Sequence, residues 1–135
     1  MRPASAAEPK AKYLLDVNAL LAAIIRNHPH HSLADNWVRD KQLVLCPICQ
    51  VGFLRISTHP RVYNLAMTLA EEALRDFTAK NRAEFIPDDL SAARLGATSS
   101  DAVTDFYLAE LAQGHQLKLA TFDTRLAHAA VEVIT

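Results

Sequence analysis

Short apolar runs alternate with longer amphipathic segments along the chain, which is the pattern of β-strands followed by helices. The apolar runs predict strands over residues 13–16, 43–46, 84–87 and 117–121, and a short last strand over 131–134. Helical spacing of apolar residues predicts helices over 17–26, 47–58, 66–80 and 98–113, with another that begins at Ser32. Strands that alternate with helices predict an α/β fold with a central, mainly parallel sheet.

Capping residues set the predicted ends of several helices. Ser32 is expected to be the N-cap of the second helix. Thr98 and Asp101 have the spacing of a capping box at the start of the last helix, and Gly114 is expected to end that helix. The sequence shows no internal repeat and no domain boundary.

The composition is that of one ordinary globular domain. The chain has 135 residues, of which 50% are hydrophobic and 21% are charged, so a disordered chain is excluded. We predict a flexible N-terminal tail over residues 1–11 and a single domain over 12–135. The net charge of −1 argues against a protein that binds nucleic acid mainly through a large excess of positive charge. We expect no membrane span and a cytoplasmic location, because long apolar stretches, a secretory signal and a disulfide framework are all missing from the sequence.

Three carboxylates stand at positions that need an explanation. Asp16 and Asp123 follow predicted strands, and each of them alone is readily explained as the N-cap of a following helix. Asp105 lies inside the apolar stripe of its helix, where an acid is rarely buried unless it is paired or bound to a metal. Asp101 lies at the edge of this stripe and is better explained as a helix cap than as a ligand.

Ligands of an open parallel sheet bind beyond the carboxyl ends of its strands, where Asp16 and Asp123 are predicted to lie. A site that also includes Asp105 would bring three carboxylates together. Two like charges about 4 Å apart repel by about 4 kcal/mol at an effective dielectric constant of about 20. Three such carboxylates either take up protons or bind a cation, and an acidic site made of oxygen atoms suits Mg²⁺ or Mn²⁺. The chemistry that this pattern favours is metal-assisted cleavage of a phosphodiester bond.

Four segments of the chain resemble the PIN-domain ribonucleases, and in particular the VapC-like toxins of bacterial type II toxin–antitoxin pairs. They are Leu14-Leu15-Asp16-Val17-Asn18, Cys46-Pro47-Ile48-Cys49-Gln50-Val51-Gly52-Phe53-Leu54-Arg55, Thr104-Asp105-Phe106-Tyr107-Leu108-Ala109 and Ala120-Thr121-Phe122-Asp123. Their order and spacing carry the resemblance, which covers nearly the whole chain after the tail.

This resemblance implies a three-layer α/β/α sandwich and a Mg²⁺- or Mn²⁺-dependent endoribonuclease. It also implies an RNA substrate cut to 5′-phosphate and 3′-hydroxyl ends, a homodimer, and a cognate antitoxin protein that inhibits the enzyme. Carried over by position, Asp16, Asp105 and Asp123 are the metal-binding catalytic acids. Asn18 and Thr121 are expected to support the site through hydrogen bonds to the carboxylates or to metal-bound water.

Gln50 departs from the family, which usually has Glu at this catalytic position. An amide still accepts a hydrogen bond but carries no charge, so we expect a lower metal affinity. Three interpretations follow: a nuclease that works with three acids, with Asp101 as a partial substitute for the missing one; a weakened nuclease; or an inactive module that binds RNA or a partner. Arg55 is either an RNA phosphate contact or half of a structural ion pair, and Gly52 is expected to let a helix pack closely on a strand.

Other motifs favour different chemistry. Cys46-Pro47-Ile48-Cys49 follows a strand and opens a helix, as a thioredoxin-like redox pair does, but one short motif is weak evidence and core cysteines are favoured. No second ligand pair has the spacing of a zinc site. The run His28-Pro29-His30-His31 breaks helical periodicity, so we expect an exposed loop there rather than a metal site. A haloacid-dehalogenase-type phosphatase is set aside, because it needs an acid where this chain has Asn18.

Overall fold

The computed structural model describes residues 11–135, so the predicted tail over 1–11 lies outside the described residues except for Ala11. The strands are β1 (Lys12–Leu15), β2 (Gln42–Leu45), β3 (Glu84–Phe85), β4 (Lys118–Thr121) and β5 (Val131–Val133). The α-helices are α1 (Val17–Ile24), α2 (His31–Val38), α3 (Pro47–Ser57), α4 (Met67–Asn81) and α5 (Val103–Gly114). A 3-10 turn over Ser100–Ala102 leads into α5.

The five strands form one sheet in the order β3-β2-β1-β4-β5, and the pairings between them are all parallel. The central strand is β1, where Leu14 pairs with Val44 of β2 on one side and with Leu119 of β4 on the other. Parallel strands need crossover connections, so their carboxyl ends lie together at one edge of the sheet. The predicted α/β fold with a mainly parallel sheet is confirmed.

The helices form the two outer layers of a three-layer α/β/α sandwich, as predicted. Helix α1 contacts α2, α3 and α4, whereas α5 packs on β1 and β4. Because both faces of the sheet are covered, Leu14 and Leu119 are completely buried, and each such side chain contributes roughly 1.5–3 kcal/mol relative to an exposed one. Among the helices of residues 11–135, none is long and apolar enough to cross a membrane.

Two predicted boundaries are wrong near the first crossovers. Helix α2 begins at His31 and has no side-chain cap, so Ser32 lies inside its first turn and is not the N-cap. The strand predicted over 84–87 shrinks to Glu84–Phe85, which lie opposite Val44 and Leu45. The N–H of Ile86 still donates to the carbonyl oxygen of Leu45 at 3.0 Å, but β2 ends at Leu45, so the ladder has no further partner.

The start of α5 also differs from the prediction. Thr98 and Asp101 do not form a capping box, since the 3-10 turn precedes α5 and neither element has a side-chain cap. Helix α5 therefore begins at Val103, and it ends at Gly114 as expected. This later start places Asp105 in the first turn of the helix rather than in its second.

Gly52 brings two helices together, rather than a helix and a strand as predicted. A Cβ atom at this position would lie 2.6 Å from Cγ2 and 3.0 Å from Cγ1 of Val17, the first residue of α1. Both distances are shorter than ordinary van der Waals contacts, so the absence of a side chain lets α3 approach α1 this closely. The contact holds the helix that follows Asp16 against the helix that carries Gln50.

Replacing Gly52 by alanine should therefore destabilise the protein. The added methyl group must displace the branched side chain of Val17, at a cost of about 1–3 kcal/mol in the free energy of unfolding, which urea titration measures. Gly114→Ala is the matched control, because a Cβ atom there meets nothing within 4 Å. That variant should be neutral or stabilised by up to about 1 kcal/mol, and equal effects of the two substitutions would contradict the packing argument.

Candidate active site

Asp16 follows the central strand β1 and is both a helix cap and a buried acid. Its N–H donates to the carbonyl oxygen of Ala120 at 3.2 Å, so the backbone of Asp16 is held against β4. Its Oδ1 accepts a hydrogen bond from the N–H of Ala19 at 2.7 Å and caps α1. The residue is only 2% exposed. The expected cap is present, and it fixes the carboxylate at the carboxyl edge of the sheet.

Thr121 ends β4 and turns the chain so that Asp123 lies at the same edge. The buried Oγ1 of Thr121 accepts a hydrogen bond from the N–H of Asp123 at 3.0 Å. Oδ1 of Asp123 accepts in turn from the N–H of Arg125 at 2.9 Å. The described chain between β4 and β5 forms turns and no helix, so Asp123 stabilises a turn and the expected helix cap is wrong.

Asp105 reaches this edge from the first turn of α5. The sequence places it inside the apolar stripe, but it is only half-buried, while Leu108 and Ala109 on the same helix are completely buried, so Asp105 lies at the N-terminal end of the stripe. A carboxylate in the first turn is also favoured by the partial positive charge at a helix N-terminus. The helix thus stabilises an acid that its own apolar face would otherwise exclude.

An open cavity of about 410 Å³ joins the three acids. It is lined by Asp16, Asn18, His30, Asp105, Thr121, Phe122, Asp123, Thr124 and Arg125. Five residues that the sequence analysis assigned to the site, namely the three acids with Asn18 and Thr121, therefore line one cavity. They come from the start of α1, the start of α5 and the end of β4, which the parallel topology brings to the same edge.

Burial and mutual repulsion oppose the ionisation of two of these acids. Burial raises the pKa of Asp16 to about 7, with smaller contributions from the charges of Asp105 and Asp123 and opposing hydrogen bonds from Thr121 and Ala19. Burial, followed by the charge of Asp123, also raises the pKa of Asp105. A cation in the cavity would reverse this balance by favouring the charged carboxylates.

The donor set suits a hard divalent cation. Carboxylate oxygens are the ligands that Mg²⁺ and Mn²⁺ prefer, and Mg²⁺ commonly uses one or two direct carboxylates and several waters. Within residues 11–135, no three His, Cys, Asp or Glu side chains are already gathered as a metal cluster. The acids therefore fit such an ion by charge and donor type, and direct binding by all three would require side-chain movement.

Comparison with known proteins identifies the fold and the family. The sequence profile of the PIN domain matches residues 13–132, which is most of the chain. The chain belongs to the PIN-domain family.

Relatives of this PIN domain include ribonucleases from Mycobacterium tuberculosis. Ribonuclease VapC29 is 35% identical over 120 residues, which cover 85% of this chain and 88% of the relative. Ribonuclease VapC38 is 33% identical over 118 residues, which cover 82% and 84%. The crystal structure of VapBC2 from Rickettsia felis bound to a promoter DNA fragment matches with a TM-score of 0.60 at 14% identity, covering 90% of this chain and 98% of that chain. At this identity the structural likeness supports the fold alone.

Three other residues assigned to the site do not line the acidic cavity of the PIN domain. Gln50 is half-buried in the first turn of α3. Asp101 is exposed and lines a neighbouring cavity together with Asp123. Arg55 is exposed, and the ion pairs found among residues 11–135 do not include it, so a structural ion pair is not supported.

The histidine run after α1 is exposed at Pro29 and His30, as its sequence predicts, but His28 is buried and His31 is half-buried. His28 is 8% exposed, and its Nε2 lies 2.9 Å from Oδ1 of Asn18. His30 lines the acidic cavity and stacks on Phe122, with ring centroids 4.7 Å apart and planes at 19°. Nδ1 of His31 lies 2.7 Å from the carbonyl oxygen of Ala22 in α1. Periodicity cannot reveal these contacts, because a segment folded by side-chain hydrogen bonds has no repeating pattern.

Cys46 and Cys49 are core residues of the PIN domain, as the sequence analysis favoured. Both are free thiols with 0% exposure, and their Sγ atoms lie 3.3 Å apart. The N–H of Cys46 donates to Sγ of Cys49 at 3.0 Å at the start of α3. The hydrogen bond with Cys49 and burial raise the pKa of the Cys46 thiol, whereas a redox nucleophile needs a lowered one.

The raised pKa of Asp16 predicts how stability depends on pH. The folded metal-free protein keeps this proton up to about pH 7, whereas the unfolded chain loses it near the ordinary aspartate pKa of 3.8. The free energy of unfolding should therefore fall as the pH rises from about 4 to about 7, by at most about 4 kcal/mol at about 1.4 kcal/mol per pKa unit. Asp16→Asn keeps an oxygen that can cap α1 but cannot ionise, so its stability should lack this fall.

Urea unfolding in EDTA across this pH range measures the difference between the two proteins. Asp76→Asn, which removes an exposed acid on α4, is the matched control and should keep the pH dependence of the parent. The same pH dependence in the parent and in Asp16→Asn would contradict a raised pKa at Asp16.

Proposed function

We propose that this PIN domain is a divalent-metal-dependent endoribonuclease that hydrolyses RNA phosphodiester bonds. The observation that carries the proposal is the convergence of Asp16, Asp105 and Asp123 on one open cavity. Burial, with a smaller contribution from the neighbouring carboxylates, raises the pKa values of Asp16 and Asp105, and a bound cation would favour their charged forms. Ribonuclease relatives that share about a third of their residues with the chain support the same activity.

Mg²⁺ or Mn²⁺ is the cofactor that the carboxylate oxygens of Asp16, Asp105 and Asp123 would hold. When bound, such an ion supplies an activated water and positive charge beside the phosphoryl oxygens. The protein's own part is orientation. The hydroxyl group of Thr121 donates a hydrogen bond to the Asp16 carboxylate, and the oxygen of the same hydroxyl accepts one from the N–H of Asp123. Asn18 adds a polar group at the rim of the same cavity.

RNA is the substrate that the surroundings of the acids support. The side chain of Arg125 is 91% exposed, it lines the cavity, and it can offset part of the repulsion between the acids and a phosphate. Arg55 is a second exposed cation, on α3. The stacked rings of His30 and Phe122 give the cavity an aromatic wall, and unpaired RNA bases stack on such side chains.

We further propose that the enzyme is the toxin of a toxin–antitoxin pair, that it forms a homodimer and that it acts in the cytoplasm. An apolar surface for protein partners is available around the start of α4, where Val62 is 54%, Met67 49% and Leu69 56% exposed. Cysteines that remain free thiols are consistent with a reducing compartment.

A PIN-like module that binds RNA or a partner without cutting is the second candidate function. Gln50 favours it, because an amide in place of the usual acid removes one negative charge from a site that depends on charge. The two functions differ in one measurable property, which is cleavage that depends on a divalent cation.

Cleavage of a structured RNA pool in Mg²⁺, Mn²⁺ or EDTA tests the nuclease proposal. The chain should cut with either metal and not in EDTA. Asp105→Asn should lower the rate by at least about 100-fold, since the loss of even an outer-shell metal partner costs about 10- to 100-fold. Glu71→Gln, which removes an exposed acid on α4, is the control and should cut like the parent. Cutting that persists in EDTA would contradict the proposal.

Gln50→Glu tests whether this position acts on the metal. The added carboxylate should lower the Mn²⁺ concentration needed for half-maximal cleavage, because affinity for hard cations rises with ligand charge. If only Gln50→Glu cuts, the parent chain is an attenuated nuclease. If neither protein cuts and neither binds metal, the binding module becomes the better assignment. An unchanged metal dependence would place Gln50 outside the reaction.

A further inference from the structure

The contacts of His28 determine the chemical roles of its two ring nitrogens. The backbone N–H of His30 lies 3.0 Å from Nδ1 of His28, and a backbone N–H can only donate, so Nδ1 is an acceptor without a proton. A neutral ring then carries its proton on Nε2. Burial, with smaller contributions from His30 and His31, lowers the pKa of His28 and favours this neutral ring.

The proton on Nε2 fixes the orientation of the Asn18 side chain. Nε2 lies 2.9 Å from Oδ1 of Asn18, and a donor at that nitrogen can bind only the oxygen of the amide. The amide NH₂ group of Asn18 makes no hydrogen bond with the rest of residues 11–135, while Asn18 lines the acidic cavity. Two N–H donors thus remain available to a molecule that enters the cavity.

We propose that His28 is a positioning residue that holds Asn18 so that its amide donates a hydrogen bond to a phosphate oxygen of the bound RNA. The inference rests on the proposed function and adds a substrate contact to it. A phosphate beside three carboxylates needs hydrogen-bond donors, and a neutral amide supplies them without competing with a cation for the acids. Because the amide oxygen is already bound to His28, it is not free to bind a metal, and the NH₂ group can act only as a donor.

The His28 ring is itself held by the fold. It lies 6.5 Å from the ring of Tyr63 in a stacked arrangement with planes at 21°, and the residue is 8% exposed. His28→Phe keeps an aromatic ring that can stack on Tyr63 but removes both ring nitrogens. This variant therefore separates the hydrogen bond to Asn18 from the packing of the ring.

NMR of the ring nitrogens tests the first step without any need for activity. Long-range ¹⁵N–¹H correlation spectra of the full chain at neutral pH should show His28 with a proton on Nε2 and none on Nδ1. A proton on Nδ1, in either a neutral or a charged ring, would overturn the proposal.

RNA binding tests the second step through a double-mutant cycle. All proteins carry Asp105→Asn to prevent cleavage, and anisotropy of a labelled single-stranded RNA gives the dissociation constant. Asn18→Ala should weaken binding by about 10-fold or more, as expected for a hydrogen bond to a charged group. His28→Phe should weaken it several-fold by itself and cause no further loss once Asn18 is alanine.

His31→Phe is the matched control, since its ring contacts the Ala22 carbonyl oxygen and it does not line the cavity. It should leave RNA affinity unchanged. If RNA binds the Asp105→Asn protein but Asn18→Ala has no effect, or if the effects of Asn18→Ala and His28→Phe simply add, the inference is wrong and the nuclease proposal stands. If the parent chain neither binds nor cuts RNA, the proposed function fails and this inference fails with it.

Discussion

The burial of a carboxylate at the carboxyl end of the central strand is the constraint on which the site depends. Asp16 is 2% exposed, and its backbone N–H binds β4 while its side chain caps α1. These hydrogen bonds hold the acid at a buried position where its ionised form is disfavoured, and the charges of Asp105 and Asp123 disfavour that form further. A divalent cation would relieve the repulsion, and this is the physical reason to expect metal chemistry here.

The parallel topology turns distant parts of the chain into one site. The three acids come from the start of α1, the first turn of α5 and the turn after β4, and they meet because the strands end at one edge. Residues outside the cavity support the residues that line it. Gly52 lets α3 approach Val17 next to Asp16, and His28 holds Asn18 from the loop after α1. Small or buried residues outside the cavity therefore set the positions of the groups inside it.

The sequence predicts the parts of this arrangement that show a hydrophobic pattern or a residue that breaks one. Buried parallel strands are short apolar runs, and Asp105 stands out against the apolar stripe of its helix. Predictions from the sequence are wrong where individual hydrogen bonds determine the local structure. Helix α2 begins without the cap expected from Ser32, and His28 is buried by its polar contacts within a loop that is otherwise exposed, as the sequence predicts. The sequence predicts a close contact between Gly52 and a strand, but the partner is helix α1, because residue spacing does not show which element lies opposite.

Direct measurement of Mn²⁺ binding tests whether the three acids form a cation site. Electron paramagnetic resonance counts free Mn²⁺ in a titration of the full chain and needs no RNA. We expect saturable binding that is stronger at pH 8 than at pH 6, because Mn²⁺ competes with the proton held by Asp16. Each of the substitutions Asp16→Asn, Asp105→Asn and Asp123→Asn should weaken this binding, whereas Asp76→Asn should not. Binding that is absent, or that none of the three substitutions changes, would show that the three acids do not form a cation site.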